Sequence, residues 1–225
     1  MDDSRSALRA KITEVIADRS NFDQQVFDNT AAVMGKIKAI LHELSADLDD
    51  ELEERLDDGV QIDYRDKGRF EARLHVGEDV ILFSMHSNVF RFPEGDPVWN
   101  EPYMAQNARR GYCGIISIYN FLADSFRYNR EEDEGYLIGR IFINHDKSVY
   151  LDGKLGEQLP DLKFDGREVT NETLERIIEM AVNFAVQFDM LVPPYEKVKR
   201  VTIDRFNTKN ETARIPTGKR LNHEF

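Results

Sequence analysis

The sequence predicts an α+β protein: an antiparallel sheet of about six strands, a meander of hairpins packed on one face by a long N-terminal helix and a C-terminal helix. Three patterns carry the prediction. Apolar residues recur every three or four positions from Phe22 to Leu56, apolar and polar residues alternate between Val60 and Met85, and a second helical stripe runs from Leu174 to Phe188. With 225 residues the chain suffices for one domain, expected over 1–206 with helical segment 5–58, sheet 60–152 and helix 170–190, and then a polar tail at 207–225.

Helical spacing begins at Leu8, Ile12, Val15 and Ile16, after which Ser20 and Asn21 offer a break and a cap. From Phe22 the stripe continues through Val26, Val33, Ile37, Leu41, Leu48 and Leu56 to a stop at Gly59. Unbroken, this second stretch is about 50 Å long at 1.5 Å per residue, which points to overhang or to a homodimer through helix 22–56. Two core helices broken near Gly35 or Ser45 are the alternative. Residues 43–58 carry nine acids against Arg55. Like charges at i,i+4, such as Asp47 with Glu51, each cost about 0.2–0.5 kcal/mol, so this end is solvated or faces a basic protein partner.

Two turns set the register of the meander. Asp66-Lys67-Gly68 suits a three-residue loop and Gly77-Glu78 a two-residue loop. Pairing outward places Tyr64, Phe70 and Met85 in one row, Ile62, Ala72 and Phe83 in the next, and Val60, Leu74 and Ile81 in a third, all apolar. The other face gathers Asp63, Glu71 and Ser84, with Arg65, Arg69, Arg73 and His86 nearby and His75 beside Val80. A slip of one residue mixes the two sets, so one face is buried and one wet.

Beyond Phe92, Pro93, Gly95, Pro97 and Pro102 with little periodicity predict a loop to Arg110, of a length usually reserved for function. Tyr112–Phe121 reads as a central strand, with a helix over 115–128 as the alternative. Tyr136–Ile143 and Val149–Leu151 form a hairpin around Asn144-His145-Asp146-Lys147. Thr170-Asn171 cap the last helix, Pro193-Pro194 end it, and a short strand follows at Val198–Ile203.

The 41% hydrophobic and 32% charged content is that of a globular chain, and no apolar run is long enough to span a bilayer. The acidic N-terminus lacks the signature of a secretory signal, so the expected location is cytoplasmic. A single cysteine, Cys113, excludes an internal disulfide. A net charge of -12 repels phosphate backbones and anionic lipid, so neither nucleic acid nor membrane is an expected partner.

No phosphate-cradling, dinucleotide, zinc-protease or nucleophile-elbow motif occurs, and no cofactor is predicted. Three constellations remain. Cys113 follows Arg109-Arg110 and is a candidate nucleophile with His86 or His145 as base and Asp124 or Asp146 as orienting carboxylate; the other reading is an inert buried thiol. Asp63 and Glu71, opposite each other in the expected register, are candidates for a metal or for acid–base work, or are neutralised by Arg69 and Arg73. Trp99, Tyr103, Arg109 and Arg110 combine aromatic surface with anion-matching forks, suited to a ligand or partner or to pinning their loop. Together these predict a non-catalytic binding or regulatory module, dimeric, with its site on the 93–110 loop or the polar sheet face. The alternative is a hydrolase using Cys113 with a histidine, or a metal at Asp63 and Glu71.

Overall fold

The structure, a computed structural model, describes residues 2–53, 55 and 60–188. In chain order the elements are α1 (Asp2–Glu53), β1 (Ile62–Asp66), β2 (Glu71–Val76), β3 (Asp79–Met85), β4 (Phe90–Arg91), α2 (Pro102–Ala105), β5 (Tyr112–Leu122), α3 (Ala123–Arg127), β6 (Tyr136–Asn144), β7 (Val149–Asp152), α4 (Lys154–Gln158) and α5 (Asn171–Val186). The strands form one antiparallel sheet in the order β1-β2-β3-β5-β6-β7, with the short β4 also paired to β5. The expected α+β class holds, with seven strands instead of about six. The helix stop at Gly59, Pro193-Pro194, the strand at 198–203 and the tail at 207–225 lie outside the described residues.

The apolar face is covered by α1 and α5. Val33, Met34, Ile37 and Leu41 of α1 and Leu174, Ile177, Ile178 and Ala181 of α5 are buried against Leu74, Ile81, Phe83, Ile116, Ile118 and Ile141 of the sheet. Close approach of α1 to the middle strand needs Gly114: a methyl there would collide with Thr30 Oγ1 and lie 2.8 Å from Thr30 Cβ and Cγ2. Thr30 hands its hydroxyl proton back to Val26 O, 2.8 Å away, so its polar atom is satisfied within the helix. Thr170 caps α5 as expected, its hydroxyl accepting from Thr173 N at 3.2 Å.

The expected break at Ser20-Asn21 does not occur, nor does the alternative break near Gly35 or Ser45, so the stretch from Phe22 is the unbroken helix of the first reading as far as Glu53. Ser20, Asn21, Gly35 and Ser45 all lie inside one helix of 52 residues, about 78 Å long at 1.5 Å per residue. Residues 5–21 are exposed all round, an arm of about 25 Å standing beyond the sheet. The stripe expected to pair two copies through helix 22–56 is instead largely engaged inside the chain, where Val26, Val33, Ile37 and Leu41 are buried. The uncovered apolar positions of α1 are Leu8, Ile12, Val15 and Ile16, at 58%, 47%, 57% and 59% exposure.

The β2–β3 register is the expected one: Ala72 faces Phe83, Leu74 faces Ile81 and His75 faces Val80 across Gly77, whose φ of +59° suits the tight turn. The β1–β2 register is displaced by four residues. Asp66 closes on Ala72, so Tyr64 faces Leu74 and Asp63 faces His75. The longer loop is held to α1 by Lys38 Nζ, which donates to Asp66 Oδ1 at 2.7 Å and also to Gly68 O. An even displacement keeps every side chain on its expected face. It removes Phe70 from the strand, to an exposed position beside Phe27 with ring centroids 6.3 Å apart.

The 93–110 segment is not structureless. It makes three short helical turns at Pro97–Asn100, α2 and Ala108–Gly111. Asp96 Oδ1 caps the first by accepting from Val98 N at 2.9 Å, and Asn107 Oδ1 caps the third by accepting from Arg109 N at 3.0 Å. Residues 112–122 are strand, and the helical alternative survives only as α3.

Because Gly114 admits α1 against the sheet, Gly114→Ala is expected to lower the unfolding free energy by about 1–3 kcal/mol, the usual range for overpacking. A urea midpoint unchanged from the parent would show that α1 does not depend on this approach.

Candidate functional site

On the polar face of the sheet, at β1, β2 and β3, lies a cleft of about 330 Å³ lined by Gln61, Asp63, Arg65, Arg73, His75, Val80, Ala123, Phe126 and Arg127. Its floor follows from strand alternation: His75 and Val80 are cross-strand partners, and Asp63 faces His75 from the edge strand. Its far wall follows from the end of β5. Ala123 N donates to Glu78 O at 2.8 Å, which turns α3 back over the sheet and brings Phe126 beneath Arg73, the guanidinium carbon 4.2 Å from the ring centroid. Arg127 Nη2 donates to Gln61 Oε1 at 3.3 Å and bridges the two rims.

Charge in the cleft is divided. Arg65 pairs with Asp63 and Arg73 with Glu71, each two residues away on its own strand, and Arg127 Nη1 lies 3.6 Å from Asp124. His75 Nε2 is buried and has no hydrogen-bond partner among the described residues. Burial holds the His75 pKa below its ordinary value, and Arg127 and then Arg65 push it further down, against the opposing pull of Asp63 and the Gly77 backbone. The cationic side of the cleft therefore outweighs its carboxylate at that ring.

The paired-carboxylate site is corrected by the register: Asp63 faces His75, not Glu71, and each acid turns to its own arginine. Among the described residues no group of three or more His, Cys, Asp or Glu is gathered for a metal.

Cys113 lies on β5, buried, paired with Asn144 and with its thiol toward Arg110 O at 3.7 Å. Burial pushes its pKa up, the reverse of what a nucleophilic thiolate requires. His86 is at the sheet margin, its ring against Phe90 with centroids 4.7 Å apart. His145 does meet a carboxylate, Nε2 lying 3.1 Å from Asp146 Oδ1, and its ring leans on Phe22 of α1 with centroids 5.3 Å apart.

The loop residues expected to bind are occupied within the chain. Trp99 Nε1 donates to Pro93 O at 2.9 Å, and the indole fills the space that a side chain at Gly111 would need. Tyr103 donates its hydroxyl proton to Asp146 Oδ2 and accepts from Asn144 Nδ2 at 3.1 Å. Arg110 stacks on Tyr103, 3.9 Å from the ring centroid, with Nε 3.5 Å from Asp146 Oδ2. Arg109 pairs with Asp18 of α1 and lies over Phe22. These contacts tie the loop to the β6–β7 turn and to the root of the helical arm.

Comparison of the chain with protein-family models, curated proteins and solved structures found no match. The cleft is therefore read from its own residues. Alternation had already assigned Asp63, Arg65, Arg73 and His75 to the polar face. Phe126 and Arg127 were missed because a five-residue helix leaves no periodic signal.

Burial and then the Asp146 acceptor push the Tyr103 pKa up to about 12. An acid held protonated in the folded state contributes stability that is complete below its unfolded value of about 10 and is lost as pH climbs through the folded value. Unfolding monitored at stepped alkaline pH should show this loss between about pH 10 and 12, with a shallower decline in Tyr103→Phe. Equal slopes in the two proteins would contradict it. Cys113 in the native protein should react with a soluble alkylating reagent at least about a hundredfold more slowly than in denaturant; comparable rates would restore the thiol as a candidate nucleophile.

Proposed function

We propose that the protein is a non-catalytic, dimeric binding module of the cytoplasm that takes a small ligand on the polar face of its sheet. One observation carries the reading: the cleft over β1–β3 gathers three arginines, an aromatic wall and a buried histidine nitrogen without a partner among the described residues, whereas the side chains of the 93–110 loop are turned to internal contacts. A volume of about 330 Å³ falls at the small end of ligand sites, about 300–1,000 Å³. The absence of a local catalytic motif and the raised thiol pKa of Cys113 both favour binding over chemistry.

The second copy is drawn by the arm of α1. Leu8, Ile12, Val15 and Ile16 form an uncovered stripe on a bare helix. Cations Arg5, Arg9 and Lys11 precede its centre, and the acids Glu14 and Asp18 follow it. An antiparallel partner sets Arg9 near Glu14 of the other copy while the apolar stripes face each other, a self-complementary two-fold contact. In each copy the core-facing stripe of residues 26–41 stays on its own sheet.

Native mass spectrometry of freshly purified protein should find twice the chain mass, and Ile12→Asp, a change at an exposed position, should return the single-chain mass with unchanged circular dichroism. A single-chain mass for the parent at micromolar concentration overturns the dimer. An adduct retained by the parent and lost on Arg65→Ala with Arg127→Ala supports the cleft; an adduct that survives both changes places the ligand elsewhere.

A further inference from the structure

The lining of the cleft is specific enough to say what class of molecule it suits, given the reading above that this cleft is the ligand site. The lining residues differ in character. Val80 on the floor and Ala123 and Phe126 of α3 are apolar, and Gln61, Asp63 and Arg65 by β1 and Arg127 of α3 are polar. Arg73 is committed twice, to Glu71 through Nε and Nη2 and to the Phe126 ring. Arg65 holds Asp63 through Nε, and Arg127 is 3.6 Å from the half-exposed Asp124 and at a long 3.3 Å from Gln61. The guanidinium edges of Arg65 and Arg127 thus carry the donor capacity that remains, since each group has five N–H donors.

We infer that the cleft binds a small organic monoanion, a carboxylate on an apolar and preferably planar body, with the carboxylate between Arg65 and Arg127 and the body against Val80 and Phe126. A carboxylate matches the planar fork of arginine in a bidentate manner. A second negative charge is opposed by Asp63, which lines the same rim. A body is required because the apolar wall must be dehydrated for the charge contact to gain from a low dielectric. Inorganic phosphate supplies charge without body, and a neutral aromatic supplies body without charge, so neither satisfies both sides.

His75 reports on the outcome. Its ring is on the floor of the cleft, and the groups facing it are Asp63 and Arg65 of β1, Arg73 beside it on β2 and Arg127 of α3. Burial holds the His75 pKa down and Arg127 and Arg65 add to it; an anion between the arginines offsets their part, so binding is expected to raise the His75 pKa. By linkage the same anion is expected to bind more tightly below the His75 pKa than above it.

The experiment follows the His75 ring-proton shifts by NMR in the full chain through a pH titration, alone and with benzoate, benzyl alcohol or inorganic phosphate. Benzoate is expected to raise the His75 pKa, and Arg127→Gln, a change at a half-exposed position, to weaken benzoate about tenfold, a loss of about 1.4 kcal/mol. Benzyl alcohol and phosphate are expected to leave the titration unmoved. Benzyl alcohol binding as tightly as benzoate, without response to Arg127→Gln, overturns the anionic class and leaves the cleft as the site. Phosphate matching benzoate overturns the need for an apolar body. If none of the three perturbs His75 or any other cleft resonance, the inference and the reading of the cleft as the ligand site both fall.

Discussion

The packing of α1 across the middle of the sheet is the constraint from which the rest of the structure follows. A seven-stranded antiparallel sheet with one fully apolar face cannot stand in water, and α5, with 16 residues, is too short to roof it alone. Residues 26–41 of α1 supply the remainder, and Gly114 lets the helix settle against β5 at Thr30. Fixing one long helix at its middle leaves the arm of residues 5–21 exposed at one end, while at the acidic end Glu43, Asp47, Asp50 and Glu51 are exposed.

The same arrangement decides what becomes of the second face. Both long helices lie on the apolar side, so among the described residues the polar side is covered by short pieces of chain near its two ends. At one end Phe92, Phe142, Tyr150 and Phe164 cluster under the segment that carries the three helical turns. At the other, α3 folds back from β5 over β2 and β3. The cleft exists because α3 covers its part of the face incompletely, leaving His75 and Val80 as a floor between α3 and the edge strand.

How far this was legible in the residues depended on how each signal is encoded. Side-chain parity is a period-two property, so the assignment of Asp63, Arg65, Arg73 and His75 to the wet face survived a four-residue displacement of β1 against β2. The displacement itself was hidden. Asp66-Lys67-Gly68 has the chemistry of a three-residue loop, but Lys38, 28 residues away, draws Asp66 and Gly68 toward α1, and no local pattern records that contact. The β2–β3 register needed only Gly77, which is why it was readable. The turns at 97–111 and the helices α3 and α4 each have four or five residues, shorter than two helical turns and therefore without period. Tyr103, Arg110 and Asp146 could be named as chemically able, but that they satisfy one another depended on the fold bringing residues 43 positions apart into contact.

The unbroken helix shows the same competition between local and tertiary signals. Ser20 and Asn21 stabilise a helix end only where the backbone leaves helical geometry; within a helix they cost a few tenths of a kcal/mol each, about 0.5 relative to Ala. Nucleation is the expensive step of helix formation, and for this helix it is met by the buried segment from Val26 onward. Each residue added outward then forms one hydrogen bond without a new nucleus, and Ala7, Arg9, Ala10, Lys11 and Ala17 are good helix formers, so the helix runs on past its apparent stop. What such propagation does not supply is cover for the apolar positions it carries outward. Leu8, Ile12, Val15 and Ile16 share one side of a helix that has no sheet beneath it. The geometry that makes the arm cheap to extend therefore also makes it an apolar surface whose burial is favourable.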